Sequence, residues 1–447
     1  MFLGAGRLEA RDVYVKLSGS GSYAIGITSG NLTMSDAEGR IANLGDSATI
    51  SVSNGNAVIM GHSFLMPVRI TGPGLLKFAG KSYRGAFLIT QRGGLLNVVE
   101  LENYLCGVLP AEVGASWHAQ ALRAQAITAR TYVLRQSLNR AEKGYDVVDT
   151  DADQVYKGAG VETAKTNQAV SSTSGLVLTY GNELAQTYFH SDSGGYTANI
   201  KDVWGREVPY LVGVPEVVNY KSPVSVWNAR FSDEKIRSVV KKVTGADIGT
   251  VKEIQVSDVD EGGRAINMTF IGSNGTKTMK ASQFRINLDP RTLKSTMFTP
   301  SGGAFDANKN STAGGLVGTQ RNPKAAQSNM TFEEDQAIAK MTAQGVFTTT
   351  ELIDMLTNPD KKKSYYKTGL DRSERQQIKI PAAKAPAMNK YGYSIEKKGS
   401  EFVFYGRGWG HGVGMCQWGA MAMAEQGWTA EKILMHYYPG TVIKRFK

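Results

Sequence analysis

Residues 10–100 carry short apolar runs that alternate with polar positions at a period of two. Val13-Tyr14-Val15-Lys16-Leu17 and Ala86-Phe87-Leu88-Ile89 are examples, set between Gly, Asn, Ser and Asp turn residues. That pattern predicts a β-rich N-terminal region. Around residue 115 the period changes. Leu122, Ala126, Ala129 and Val133 follow a 4-3-4 spacing, which places them on one face of a helix. Ser116 is the expected N-cap and Gly144 the expected closing residue. Six alanines between Ala115 and Ala129 leave little side-chain bulk, so this helix is expected to pack closely on more than one side.

From 150 to 300 strands and turns return, with a helix near Ser232–Val243 and no regular βα repeat. The expected fold class is therefore α+β. Residues 301–330 are rich in Gly, Asn, Ser and Ala and are read as a linker. Thr331 and Glu334 form a T-x-x-E capping box, and Glu351–Leu356 reads as a second short helix. Lys361 to Lys390 is polar again, with Pro381 and Pro386. The tail shows strands, then helix signals from Gln417 to Tyr438 broken at Gly427 and stopped by Pro439-Gly440. The expected organisation is an N-terminal β region at 1–82, a core at 83–300, an inserted helical module at 301–393, and the rest of the core at 394–447.

Composition narrows the classes. The chain has 447 residues, a formal charge of +11 and 41% hydrophobic residues, enough for a buried core. No apolar run reaches the ~18 residues needed to span a bilayer. The opening MFLGAGRLEARDVYV contains no long apolar stretch, so no export signal is expected within this sequence. Two cysteines exclude a disulfide-rich scaffold. The positive charge fits an anionic partner or surface. Its Lys and Arg residues are scattered, apart from Lys361-Lys362-Lys363, and no nucleic-acid motif stands out. Glycine is in excess, at 50 residues.

Three segments carry candidate chemistry. In ENYLCGVLPAE, Glu112 follows Pro110 among mostly apolar residues and ahead of the expected helix. Lost hydration there raises a carboxyl pKa, as a general acid requires, while a helix N-terminus lowers it. A capping role for Glu112 is the alternative. In YFHSDSGGY, His190 and Ser191 precede Gly194-Gly195. No G-x-S-x-G elbow is present, and a polar loop after a strand is the plainer reading. In GRGWGHGVGMC, every second residue from Gly406 to Gly414 is glycine. If the run is extended, the glycines share one face and allow close approach of another backbone or a ligand, while Arg407, Trp409 and His411 share the other. A cysteine peptidase built on Cys416 and His411 is disfavoured, because an odd spacing in an extended run places them on opposite faces.

Together these segments resemble the SpoIID/LytB family of sporulation stage II protein D, bacterial cell-wall proteins that include lytic transglycosylases. The matching stretches are ENYLCGVLPAEVGASWHAQALRAQAITARTYVL, QVYKG, YFHSDSGGYT with VWG and PYL, FRINLDPRTLKSTMF, GRGWGHGVGMCQWGAMAMAEQG and ILMHYYPGT. They cover most of 83–300 and 395–447 in the family's order.

The resemblance implies peptidoglycan glycan strands as substrate and Glu112 as the catalytic acid, with no cofactor. It also implies an exported protein of the cell envelope. Gln125, Arg130, His190, Ser191, Gly194, Gly195, Trp204, Trp409, His411 and Gln417 match family positions and are assigned to glycan binding or support of the cleft, with Arg407 beside them. The family's other activity, a non-catalytic enhancer of a cell-wall amidase, is the alternative, with that amidase as partner. Two departures stand out. Some members carry a Cys/His zinc cluster before QVY; here Val148–Val155 has none, so zinc is not expected. Cys106 and Cys416 both fall in core motifs, where a disulfide in an oxidising envelope and two buried thiols are the competing expectations.

Overall fold

The computed structural model describes residues 11–19, 21–299, 346–347, 351, 354–355, 361–375 and 393–446. The N-terminal alternation becomes twelve strands in two sheets. Asp12–Lys16 shows why: Val13 and Val15 point inward while Asp12, Tyr14 and Lys16 face out. In the seven-stranded sheet Leu95–Glu100 is an interior strand, pairing antiparallel with both Asp12–Lys16 and Ala86–Ile89. The six-stranded sheet packs through Tyr23, Ile25, Ile50, Ile59 and Leu76 into the same core.

Helix α1 (Leu101–Glu112) follows the Leu95–Glu100 strand directly. Glu100 caps it, its carboxylate accepting the N–H groups of Glu102 and Asn103 at 2.9 Å. Pro110 lies inside α1, not ahead of a helix, and Val113 ends it in extended conformation. Helix α2 (Ala119–Asn139) begins at His118, two residues later than the expected Ser116 cap, with the imidazole accepting Gln120 N–H. The alanine-rich α2 separates two hydrophobic cores. Leu122, Ala126, Ala129 and Val133 enter the first, as the spacing predicted, and Ala121, Ala124 and Ile127 enter the second. The first core runs from Val13 to Leu184, so it is continuous across residue 82.

Helices α3 (Ala164–Ser172) and α4 (Ile200–Trp204) flank these cores. The third core lies around α5 (Asp233–Thr244), capped by Ser232, and α6 (Ala281–Leu288). There Trp227–Ser232 pairs with Glu401–Gly406, so the chain returns to the same sheet after residues 300–392. Thr331, Glu334 and most of the expected helix at Glu351–Leu356 lie outside the described residues. Within the stretch read as a polar segment, Lys362–Arg375 is helical (α7), in keeping with its lysines, arginines and glutamate, which lose little rotamer freedom in a helix. Helices α8 (Gln417–Glu425) and α9 (Ala430–Tyr437) close the second core, with the break at Gly427 as expected. Among the described residues no helix is long and apolar enough to cross a membrane.

Candidate active site

Glu112 is the last residue of α1, the reverse of its expected place before a helix N-terminus. It is partly buried and accepts the backbone N–H of Val155 at 2.6 Å. Burial pushes its carboxyl up to about 7. The Val155 bond and the side chain of Gln417 act against that rise, and the charge of Asp151 adds to it. The C-terminal end of a helix also disfavours an anion. The open sign is thereby resolved upward. This carboxyl holds a proton near neutrality and remains within reach of solvent.

The QVY segment is what braces it. Gln154 is fully buried, taking the Tyr104 hydroxyl at 3.1 Å and donating to the Ala129 carbonyl at 3.4 Å. Tyr156 donates to Asn97 at 2.8 Å. Val155 is thus held between two anchored neighbours, with its N–H aimed at Glu112.

Two carboxamides from the expected set are buried, one of them beside Glu112. Gln417 opens α8, and its side chain lies beside the Glu112 carboxyl. Gln125 is 1% exposed, and neither atom of its amide is paired. It shares a face of α2 with Ala121, Thr128 and Tyr132. Thr128 donates to Met415 Sδ at 3.8 Å, which directs that face toward the strand ahead of α8. Unpaired buried amides are costly unless something fills them, water or a ligand. Trp117 and Trp418, not singled out in the sequence, form a ring pair with centroids 5.1 Å apart, five residues beyond Glu112 and one beyond Gln417.

The glycine run and the His190 segment lie side by side. Phe189–His190 pairs in parallel with Met415–Cys416, and Asp192 bridges Trp409. The run is not an extended strand: Gly408, Gly410, Gly412 and Gly414 have φ of 71°, 121°, 85° and 73°. Alternate residues therefore visit a region that L side chains rarely adopt. The expected close approach is present. A Cβ on Gly408 would lie 2.5 Å from the Asp192 carbonyl oxygen, and one on Gly410 2.6 Å from His190 Cβ.

Because the run coils, Arg407, Trp409 and His411 do not share one face. Arg407 packs against the Gly194–Gly195 turn, and Trp409, 37% exposed, lies under the Lys294 ammonium. His411 joins His190, Trp204 and Tyr188, with ring centroids 5.6, 5.1 and 6.3 Å away. Burial, aided by the charges of Arg285 and Arg264, pushes His411 down to about 3. Burial and the neighbouring His411 likewise lower His190, so both rings are neutral. His190 Nδ1 lies 3.3 Å from the Val413 carbonyl, and its Nε2 is unpaired.

Other expected contacts need correction. Arg130 has no exposed side-chain surface and is a clamp inside the fold. It grips Glu102 of α1 with two bonds, at 2.8 and 2.6 Å, and also reaches the carbonyls of Val170 and Leu176 at 3.2 Å. A ligand cannot reach it. Arg130→Met leaves the Glu102 carboxylate without its partner and is expected to cost about 3 kcal/mol in urea unfolding. Unchanged stability with weakened ligand binding would return Arg130 to the binding surface.

Gly194 and Gly195 serve the turn through their backbones. Gly194 N–H donates to Asp192 at 2.8 Å, and the Gly195 carbonyl accepts Glu216 N–H. Ser191 anchors α8 by accepting Trp418 N–H at 3.1 Å. No Cys106–Cys416 disulfide is present. Both are free thiols, Cys106 partly buried against the first core and Cys416 buried in the second. Cys416 caps α8 through Gly419 N–H at 3.3 Å. Beside it Glu216, pushed up to about 7 by burial, accepts the hydroxyls of Ser193 and Tyr437 at 2.7 Å. That network locks the His190 loop to α8 and α9.

Residues 90–180, which hold Glu112, α2 and the QVY brace, match the family described as SpoIID, Stage II sporulation protein. The chain is 28% identical over 372 residues to the amidase enhancer of Bacillus subtilis (strain 168), covering 76% of this chain but only 40% of that protein. It is 26% identical over 362 residues to Stage II sporulation protein D of the same organism, covering 77% of this chain and 74% of the relative. Stage II sporulation protein D of Bacillus amyloliquefaciens is 29% identical over 221 residues, 42% of this chain and 64% of that one. The matched segment holds the carboxyl and its brace, and the long alignments extend that likeness through most of the chain. Through residues 90–180 the chain is similar to the SpoIID family, and the longer alignments are to proteins named for stage II sporulation and for amidase enhancement.

Proposed function

We propose that the protein is a peptidoglycan lytic transglycosylase that cleaves the MurNAc–GlcNAc β-1,4 bond, with Glu112 as its acid and base. The observation that carries this reading is a partly buried carboxyl with its pKa at about 7, braced by the Val155 N–H and with the Gln417 side chain beside it. Protonated Glu112 donates to the glycosidic oxygen as the C1–O bond breaks. The resulting carboxylate then takes the proton of the muramoyl C6 hydroxyl as that oxygen bonds to C1. The product carries a 1,6-anhydro ring.

A paired-carboxylate glycosidase needs a second acid to activate water or attack the sugar. Here the nucleophile belongs to the substrate and is already held near C1, which supplies the advantage of an intramolecular reaction. Glycan strands place the protein's work outside the cytoplasm, in the cell envelope. The likeness to an amidase enhancer favours a second reading, in which the same cleft holds glycan without cutting it and a cell-wall amidase is the partner.

Product analysis separates these readings. Incubation with purified glycan strands is expected to release anhydromuramoyl ends, read by mass spectrometry. Reducing ends would mean water is the nucleophile. Absence of any release, with stimulation of an added amidase, would establish the enhancer.

A further inference from the structure

The geometry points to Arg206 as the carboxylate-binding residue of a glycan subsite built on Tyr188 and Trp204, an inference that rests on the cleft receiving glycan strands. Trp204 ends α4 and is 37% exposed, and Gly205 turns the chain immediately afterwards with φ 78°. The Arg206 guanidinium lies 5.5 Å from the centre of the Tyr188 ring and 6.0 Å from that of Trp204. Those two rings are themselves 4.8 Å apart. Arg206 Nη2 donates to the Tyr188 hydroxyl at 2.5 Å.

That contact uses one of five N–H donors. Among the described residues no carboxylate pairs with Arg206, because adjacent Glu207 is held by Lys201 at 2.5 Å. An exposed arginine ordinarily loses much rotamer freedom on binding. Here the rings and the hydroxyl have already fixed its plane, so less is lost when its fork meets a planar carboxylate.

A chain of contacts links this subsite to the acid. The Tyr188 ring meets that of Tyr132 at 6.1 Å. Tyr132 is seven residues beyond Gln125 on α2, about 10 Å at a rise of ~1.5 Å per residue. Its hydroxyl donates to Asp153 at 2.8 Å, two residues before the Val155 that holds Glu112. Arg206 therefore sits along the strand from the scissile bond and touches no reacting atom. It reads a substituent while the rings support a sugar face. Glycan strands offer two sources of that carboxylate: the lactyl group of a peptide-free muramoyl residue, or the stem peptide of a substituted one.

The test uses Glu112→Gln protein, so that strands are bound and not consumed. Equilibrium binding at low salt compares peptide-free, peptide-bearing and carboxyl-methylated peptide-free glycan fragments. At least one free-carboxylate glycan is expected to bind about tenfold tighter than the methylated one, the scale of one charge-assisted contact. Whichever does so identifies the source. Adding Arg206→Ala is expected to erase that preference, and Arg206→Lys to restore only part of it. A preference that survives Arg206→Ala, or no preference in the parent, overturns the subsite. Binding without carboxylate discrimination overturns the subsite alone, whereas failure of all three glycans to bind overturns the glycan reading with it. Thermal melting of the Arg206 variants, expected to match the parent, guards against misfolding.

Discussion

Glu112→Gln is expected to lower the rate of glycan cleavage by about 10³-fold while making the protein more stable at pH 8. The two effects share one cause. The carboxyl has a usual value of 4.5 and stands at about 7 in the folded chain, raised by burial. Below about pH 4.5 both folded and unfolded states are protonated, and Glu112 contributes no pH dependence. Between 4.5 and 7 the unfolded state has released its proton and the folded state has not, so stability falls as pH rises. Above 7 both are ionised and the full penalty is present, up to about 3 kcal/mol for a shift of this size. Glutamine still accepts the Val155 N–H but carries no charge. The stability difference between variant and parent should therefore be absent at pH 4 and grow to its plateau by pH 8, read by urea unfolding. Wild-type activity should fall above about pH 7, as the acid form is lost. A variant that loses both activity and stability would recast Glu112 as a structural residue.

How far the sequence revealed this site depended on whether the decisive contact was local. The face of α2 was legible because Leu122, Ala126, Ala129 and Val133 meet one core through periodicity alone. Helix α1 carried the same signal, with Leu101, Tyr104, Leu105, Val108 and Leu109 all buried at helical spacing. Gly107 and Pro110 obscured it, although a proline in the last turn removes only one internal bond. Placing Glu112 outside that helix then left the sign of its pKa open.

For Arg130, the choice between glycan binding and cleft support was open for a different reason. Its partner, Glu102, is 28 residues away, and no spacing rule pairs residues at that distance. The motif marked Arg130 without saying whether it faces a ligand or another residue of the fold. Arg206 carried no signal of its own, since its setting depends on Tyr188 arriving from another segment. The glycine alternation was read correctly as permission for close approach and incorrectly as a strand. Period two is shared by an extended chain and by one whose alternate residues have positive φ.

Gly414→Ala is expected to destabilise the protein by about 3–5 kcal/mol and to cut activity with it, whereas Gly427→Ala should cost only about 1 kcal/mol. Both glycines have positive φ, 73° and 82°, so the conformational term is nearly the same. The surroundings differ. A Cβ on Gly427 meets nothing within 4 Å, while one on Gly414 is driven into the Tyr188 carbonyl, with Tyr438 Cε1 at 3.1 Å behind it. That carbonyl cannot simply give way, because it accepts Met415 N–H at 3.1 Å and the Tyr438 hydroxyl at 2.6 Å. Relief requires the Phe189–His190 and Met415–Cys416 strands to part, which displaces Gln417 from Glu112 and Tyr188 from beneath Arg206. Activity should therefore fall in Gly414→Ala even at temperatures where the variant is still folded, and remain near wild type in Gly427→Ala. Equal costs for the two substitutions would mean that the run serves backbone conformation alone, and that the close approach of the two segments is not what shapes the cleft.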